Sequence, residues 1–532
     1  MTDPVILYPE KEAEYEYFLL RPESFIKRGT WGLTSDYVGA YDGTVLNGLT
    51  NKDKTAEDAT TKITVKKAGE YRVWVRSRNF EQSPQARHFA LSINGTRLSK
   101  TFGQVGTEGF VWEDGGTVTL SEGENTVNLI DSSQYYAKVD SVMITNHTKM
   151  TPPDDYETLK QITEPYFPES KPIEGFTISK DHPGGNIIVD GMWDDVVKVQ
   201  QDLTGNAYYW FYWNFAAVSD IDRTITFEFS NGDVVGDQGP AYSFDGINWN
   251  WLGDTNTHTR TSFKYDFKAG QKVYFTLSIP YQYKELNAFL DQYDGMDRVS
   301  KKTIGQTEDG RDIPIIEIGN PNAQKHMVFT SRHHCCESTT SFVLEGLIQY
   351  MVNQRNSAML DEYLVHIVPM IDIDGVENGD QGKMRKPHDH NRDYIANPIF
   401  NTTKAVYSYF GEMDVDLFMD FHCPGLYDTK PYIYRINGAN LGNIDRFADI
   451  LSGITQNDSF ENKIVYDRSK DFTENMVNET SYGYFSRRGA SLSTSMEVPY
   501  NGTAGNPYTK ENLRNLGKNF GEAFEEYLGF GQ

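Results

Sequence analysis

Four short stretches in the C-terminal half of the chain carry side chains whose types and spacing suit metal chemistry. SRHHCCES sets His334 three residues before Glu337. Imidazole and carboxylate are both zinc ligands, and one helical turn or a tight strand-to-helix bend brings such a pair onto one ion. With eleven histidines in 532 residues, that pair carries little alone. VDLFMDFHCPG delivers His422 at the end of an apolar run, where a third ligand completes the open arrangement of a catalytic site. A lone histidine there is more often packed than ligating. SLSTSMEVPY delivers Glu497 in the same kind of place. A carboxylate buried there is costly without a partner or work, and its natural work is to take a proton from water. HDHNRDY adds Asp389, Asn391 and Arg392 as D-x-N-R.

The elements that must hold these residues alternate between strand and helix. HMVFTSR, YLVHIVPMID, VDLFMDFH and ASLSTSMEV read as buried strands. SFVLEGLIQYMVNQ places Val343, Leu347 and Met351 beside Leu344, Ile348 and Val352 at helical spacing, and a last amphipathic helix carries Leu513, Leu516, Phe520, Phe524 and Leu528. This is α/β organisation, in which ligands gather beyond the carboxyl ends of strands. Upstream the pattern differs. Residues 1–150 read as short alternating strands with Gly, Asn and Asp turns, an antiparallel sandwich. Residues 151–171 are proline-rich and read as a linker, and 172–282 form a second all-β block. All eight tryptophans lie between Trp31 and Trp251, whereas seven of eleven histidines and all three cysteines follow residue 320. The fold class expected is therefore multidomain: two all-β sandwich domains followed by an α/β domain over 283–532, a mixed sheet flanked by helices.

Composition limits what partners such a protein has. Fifty Lys and Arg against 75 Asp and Glu give a net charge of −25, which disfavours nucleic acid and anionic membrane surfaces. No apolar stretch approaches the ~20 residues that span a bilayer. The N-terminus shows neither a basic region nor an apolar one, and the expectation favours a secreted or periplasmic protein with its signal peptide removed over a cytoplasmic one. Cys335, Cys336 and Cys423 either pack reduced in a core or join through a bridge from Cys423 to one of the adjacent pair.

The ordered series H-x-x-E, Arg, D-x-N-R, strand-end His and strand-end Glu resembles the zinc metallocarboxypeptidases, over about 300–530 and including the phrase TEDGRDIPIIEIG. The resemblance implies one zinc ion on His334, Glu337 and His422, with Glu497 as general base. It implies that Asp389 fixes the tautomer of His334, that Asn391 and Arg392 bind the substrate's terminal carboxylate, and that Arg385 stabilises the oxyanion. The separation of Arg385 from Asp389 is short for the family. Tyr482 and Tyr484 are the candidates for its mobile tyrosine, and Arg487 and Arg488 either line the pocket for an acidic terminal residue or lie on the surface. Cys336 stands where digestive members carry an Arg, a departure shared with the cytosolic-carboxypeptidase subfamily. Members of that subfamily carry a β-sandwich before the catalytic domain, to which 172–282 is similar. Residues 1–150 resemble carbohydrate-binding jelly rolls through YRVWVRSRN, INGT, FVWEDGGTVTL and AKVDSVMIT.

The expected function is zinc-dependent removal of a C-terminal amino acid from peptides. Two alternatives stand beside it: a zinc amidase on peptidoglycan stem peptides or glycopeptides, and a non-catalytic glycan- or peptide-binding protein.

Overall fold

The computed structural model describes residues 15–48, 55–253, 258–435, 441–455, 465–467, 478–503 and 506–531. The chain forms two compact units, Met1–Ile173 with Gly191–Lys198, and Glu174–Asp190 with Val199–Gln532.

The first unit is built from antiparallel strands. One sheet runs in the order Gly32–Thr34, Val45–Asn47, Lys138–Thr145, Gly69–Asn79, Gly109–Leu120, with Tyr17–Leu20 also paired to Lys138–Thr145. A second has Ala59–Val65, Gly123–Ile130, Ala90–Ile93 and Thr96–Arg97. Period-two patterning decides which side chains enter. Along Ala59–Val65 the residues Ala59, Thr61, Ile63 and Val65 are buried, and Ile63 and Val65 share one core with Tyr71, Val73 and Val75 of the other sheet. The segment read as a linker is in part a packed element. Tyr156–Ile162 is a helix capped by the Asp155 carboxylate, which accepts from the Thr158 N–H. Its Leu159 and Ile162 are buried with Leu19, Tyr41 and Met143. The proline content masked this apolar pair.

The second unit begins with strands around an aromatic core. Asn214–Ser219 and Lys272–Thr276 pair antiparallel, as do Arg223–Phe229 and Ser262–Phe267. Rings from both pairs meet, with Phe227 4.9 Å from Phe263 and Phe263 5.2 Å from Phe275.

An eight-stranded mixed sheet follows, in the order Val299–Gln306, Asp312–Gly319, Tyr363–Val368, Lys325–Ser331, Leu417–His422, Leu492–Glu497, Tyr432–Arg435, Val465–Asp467. Its central strands are parallel: Lys325–Ser331 lies between Tyr363–Val368 and Leu417–His422, and the latter also pairs with Leu492–Glu497. Tyr363–Val368, Leu417–His422 and Leu492–Glu497 are buried throughout and Lys325–Ser331 from Met327 onward, as a sheet covered on both faces requires. Phe418 and Phe421 show the two faces, because an odd separation along a strand points side chains oppositely. Phe418 stacks at 4.3 Å on Phe485 of helix Ser481–Ser486, and Phe421 meets Phe520 of helix Lys510–Tyr527 at 5.2 Å. Helix Lys510–Tyr527 in turn crosses helix Thr339–Asn353 at two glycines. A Cβ on Gly346 would lie 1.9 Å from the Arg514 carbonyl oxygen, and one on Gly517 1.9 Å from that of Val343. No helix among the described residues is long and apolar enough to cross a membrane.

Candidate metal centre and active site

Parallel pairing brings three strand ends together, and the site is built on them. Ser331 pairs with Phe421, and His422 with Glu497, so the turn after Lys325–Ser331, His422 and Glu497 share one edge. The turn depends on Arg332, whose left-handed φ of 60° swings the chain out of the sheet. Its guanidinium then fastens the bend, donating from Nε to the Cys335 carbonyl at 2.9 Å and from Nη1 to Ser341 Oγ at 2.9 Å. His334 and Glu337 come out three residues apart at the entry to helix Thr339–Asn353, both buried.

His334 Nδ1, a Glu337 carboxylate oxygen and His422 Nδ1 converge on one point, all within 4.8 Å of one another. His334 Nδ1 lies 2.9 Å from Glu337 Oε1, and His422 Nδ1 lies 2.8 Å from Glu337 Oε2 and 3.2 Å from His334 Nδ1. The far ring nitrogens face other carboxylates: His422 Nε2 is 2.7 Å from Asp420 Oδ2, and His334 Nε2 is 3.6 Å from Asp389 Oδ1. Those acceptors favour hydrogen on Nε2 in both rings, leaving two Nδ1 lone pairs and a carboxylate aimed at each other. Such a set calls for a cation at its centre, and its two imidazoles and one carboxylate match a catalytic zinc site. Burial opposes ionisation of Glu337, but the neighbouring His334 and His422 imidazoles and the Lys383 ammonium outweigh it and hold its pKa well below the usual carboxylate range.

A second cluster, His333, Asp420 and His422, also brings ligand atoms together, but hydrogen bonds already satisfy it. Asp420 accepts from Thr330 Oγ1 at 2.7 Å and Ser481 Oγ at 2.7 Å while facing His333 Nδ1 and His422 Nε2. His333 Nε2 meets the Tyr394 hydroxyl at 2.8 Å. Asp420 is thus the acceptor that orients His422, a residue the sequence reading passed over. The signal was present: in D-F-H on a strand, Asp and His fall on one face.

Glu497 ends its strand with Oε2 buried and unpartnered. Burial raises its pKa, with Lys383 and His422 pulling the other way and Glu337 reinforcing the rise. A carboxylate so tuned is a better proton acceptor than an exposed one. Tyr434, also unforeseen, hydrogen-bonds to Glu497.

The remaining expected residues fall in different places. Asn391 lies at the cluster, its Nδ2 3.0 Å from His422 Nε2 and its Oδ1 accepting from Ser481 N and Oγ. Arg392 is partly exposed and donates from Nη1 to the Asn391 carbonyl at 2.8 Å. Arg385, expected at the oxyanion, turns elsewhere: Nη2 pairs with Asp372 Oδ2 at 2.6 Å and Asp380 Oδ2 at 3.2 Å. Lys383, which the sequence reading did not single out, reaches the cluster instead, 3.5 Å from Glu337 Oε1. Tyr482 and Tyr484 are buried in the hydrophobic core, and Tyr484 stacks on Tyr407 at 4.7 Å. Arg487 donates to Asn478, and Arg488 lies 3.8 Å from Glu412. The three cysteines are free and buried, with no bridge from Cys423. Burial pushes the Cys336 thiol up to about 12 and the other two well above their ordinary value, so all are protonated.

Residues 286–530 match the model of the zinc carboxypeptidase family. Human cytosolic carboxypeptidase 6 is 27% identical over 297 residues, covering 50% of this chain and 58% of that protein. The mouse protein of the same name is 26% identical over 305 residues, covering 50% and 54%. The chain thus spans somewhat over half the length of these relatives, and their names do not favour an exported location over the cytoplasm. A metallo-carboxypeptidase from Burkholderia cenocepacia superposes with a TM-score of 0.58 at 17% identity, over 66% of this chain and 98% of its own. One from Pseudomonas aeruginosa gives 0.57 at 18%, over 66% and 99%. The likeness to both is one of fold. The family match begins at residue 286 and lends no support to glycan binding by residues 1–150.

Proposed function

We propose that the chain is a zinc-dependent hydrolase that removes a C-terminal amino acid from a peptide. The observation that carries this reading is the unpartnered Glu497 carboxylate oxygen beside the converging His334, Glu337 and His422 ligand atoms. Zinc held there would polarise the scissile carbonyl and acidify the attacking water. Glu497 takes a proton from that water and returns it to the leaving amine. Asp389 and Asp420 hold the two imidazoles in the tautomer that presents Nδ1. Arg392, beside Asn391, grips the terminal carboxylate, for which a planar guanidinium fork is the fitting partner.

The layout that goes with this reading is two β-sandwiches, 1–150 and 172–282, before a catalytic domain over 283–532. The core shared by both sheets of the first unit and the aromatic core of residues 213–275 support it.

The test is zinc content together with amino-acid release from peptides differing only in their last residue, comparing wild type with Glu497→Ala. Release of one C-terminal residue that requires zinc and disappears in Glu497→Ala is expected. Zinc binding with no release from any peptide would overturn the reading.

A further inference from the structure

The loop that carries Lys383 and Arg385 is held in place on both sides. Asn206 Nδ2 donates to the Lys383 carbonyl at 2.9 Å, Ala207 N to that of Met384 at 2.7 Å, and Lys386 N to that of Gly205 at 2.9 Å. On the other side Gly382 packs on the metal-site turn so closely that a Cβ there would lie 2.4 Å from Cys335 N. In a regular strand residues two apart share a face, but Met384 takes a left-handed φ of 58° between them. Lys383 and Arg385 are therefore sent apart. Arg385 is engaged by two carboxylates. The Lys383 ammonium, its side chain 22% exposed, lies 3.5 Å from Glu337 Oε1 and 4.8 Å from the centre of the Trp210 ring.

We infer that Lys383 is the cation that stabilises the oxygen of the scissile carbonyl, a role resting on the hydrolase reading above. As water adds, the carbonyl electron pair moves onto oxygen. The ammonium donates a hydrogen bond to it and keeps its own proton, and the charge returns to the carbonyl when the C–N bond breaks. A contact that strengthens as charge develops accelerates the reaction without tightening substrate binding.

Lys383→Met is the test, on zinc-loaded full-length protein with a peptide that the wild type cleaves. We expect kcat to fall by about 10²–10³-fold with KM nearly unchanged. Affinity for the phosphonate analogue of that peptide, measured by calorimetry, should fall in parallel. Affinity for the reduced-amide analogue, which lacks the oxygen, should hold, as should zinc content. Lys383→Arg should recover most of the loss. Arg385→Lys should lower thermal stability and leave the phosphonate to reduced-amide ratio as it is. Unaltered kcat and phosphonate affinity in Lys383→Met would overturn the assignment, as would loss of zinc with equal weakening of both analogues, which marks a mere counter-ion of Glu337. A wild type that neither holds zinc nor cleaves peptide would remove the hydrolase reading and this one with it. A working wild type beside an unaffected Lys383→Met would remove this one alone.

Discussion

His422 and Glu497 are direct register partners at the ends of two adjacent parallel strands. Two side chains set by neighbouring strand ends are held by the sheet itself, which explains how Glu497 stays buried with one oxygen free. Replacing Glu497 by Gln keeps the shape and removes the proton acceptor. Turnover should fall by about 10²–10⁴-fold while zinc content remains that of the wild type, measured by steady-state kinetics and metal analysis on the same preparation.

Asp420 shows what the orienting shell contributes. It accepts from Thr330 and Ser481 and faces two imidazoles, so Asp420→Asn puts an N–H donor where only acceptors fit. Zinc affinity should drop by about 10–100-fold, read by competition with a chromogenic chelator. Asp389→Asn, at 3.6 Å from its imidazole, should cost less.

The placement of the candidate residues was legible where they sat on regular elements. His334, Glu337, His422 and Glu497 follow strands whose apolar runs are plain, and the spacing of the last helix is borne out by buried Leu513, Leu516, Phe520 and Phe524. Arg385 was chosen as the Arg that precedes D-x-N-R, and in the fold its guanidinium pairs with Asp372 and Asp380, with left-handed Met384 between it and Lys383. Tyr482 and Tyr484 were chosen by distance along the chain from Glu497, but the helix Ser481–Ser486 turns them into the core. Asp420 was legible in D-F-H and passed over, whereas Tyr434 meets Glu497 through a contact that the linear order does not display.

The two glycines at the helix crossing bear on stability. Gly346 and Gly517 let the backbones of Thr339–Asn353 and Lys510–Tyr527 touch. Ala at either position raises helix propensity, yet its methyl group meets a carbonyl oxygen that cannot move aside. Gly517→Ala should destabilise by about 1–3 kcal/mol or more, seen as a lower Tm; an unchanged or raised Tm would show that the helices part without cost.

In the first unit, Asp140 is fully buried between Arg21 and Arg76. Removing the carboxylate leaves two buried guanidinium groups without their counter-ion, a loss typically worth about 3–5 kcal/mol. Asp140→Ala should therefore unfold at markedly lower denaturant concentration by fluorescence.

His366 supplies a pH signature. It lies within strand Tyr363–Val368, its Nδ1 2.9 Å from the Tyr409 hydroxyl and its Nε2 3.0 Å from His326 Nδ1. Burial, with the neighbouring His326, lowers its pKa from 6.5 to about 4, although Glu317 pulls upward. The folded protein thus keeps His366 neutral where the unfolded chain takes up a proton. Its contribution to stability is full above pH 6.5 and is lost as the pH falls towards about 4. Urea unfolding across that interval should show stability declining with acid, and His366→Gln should flatten the decline. An NMR titration placing the His366 midpoint near 6.5 would contradict the assignment, since an imidazole so enclosed cannot be protonated at that pH without its hydrogen-bond partners giving way.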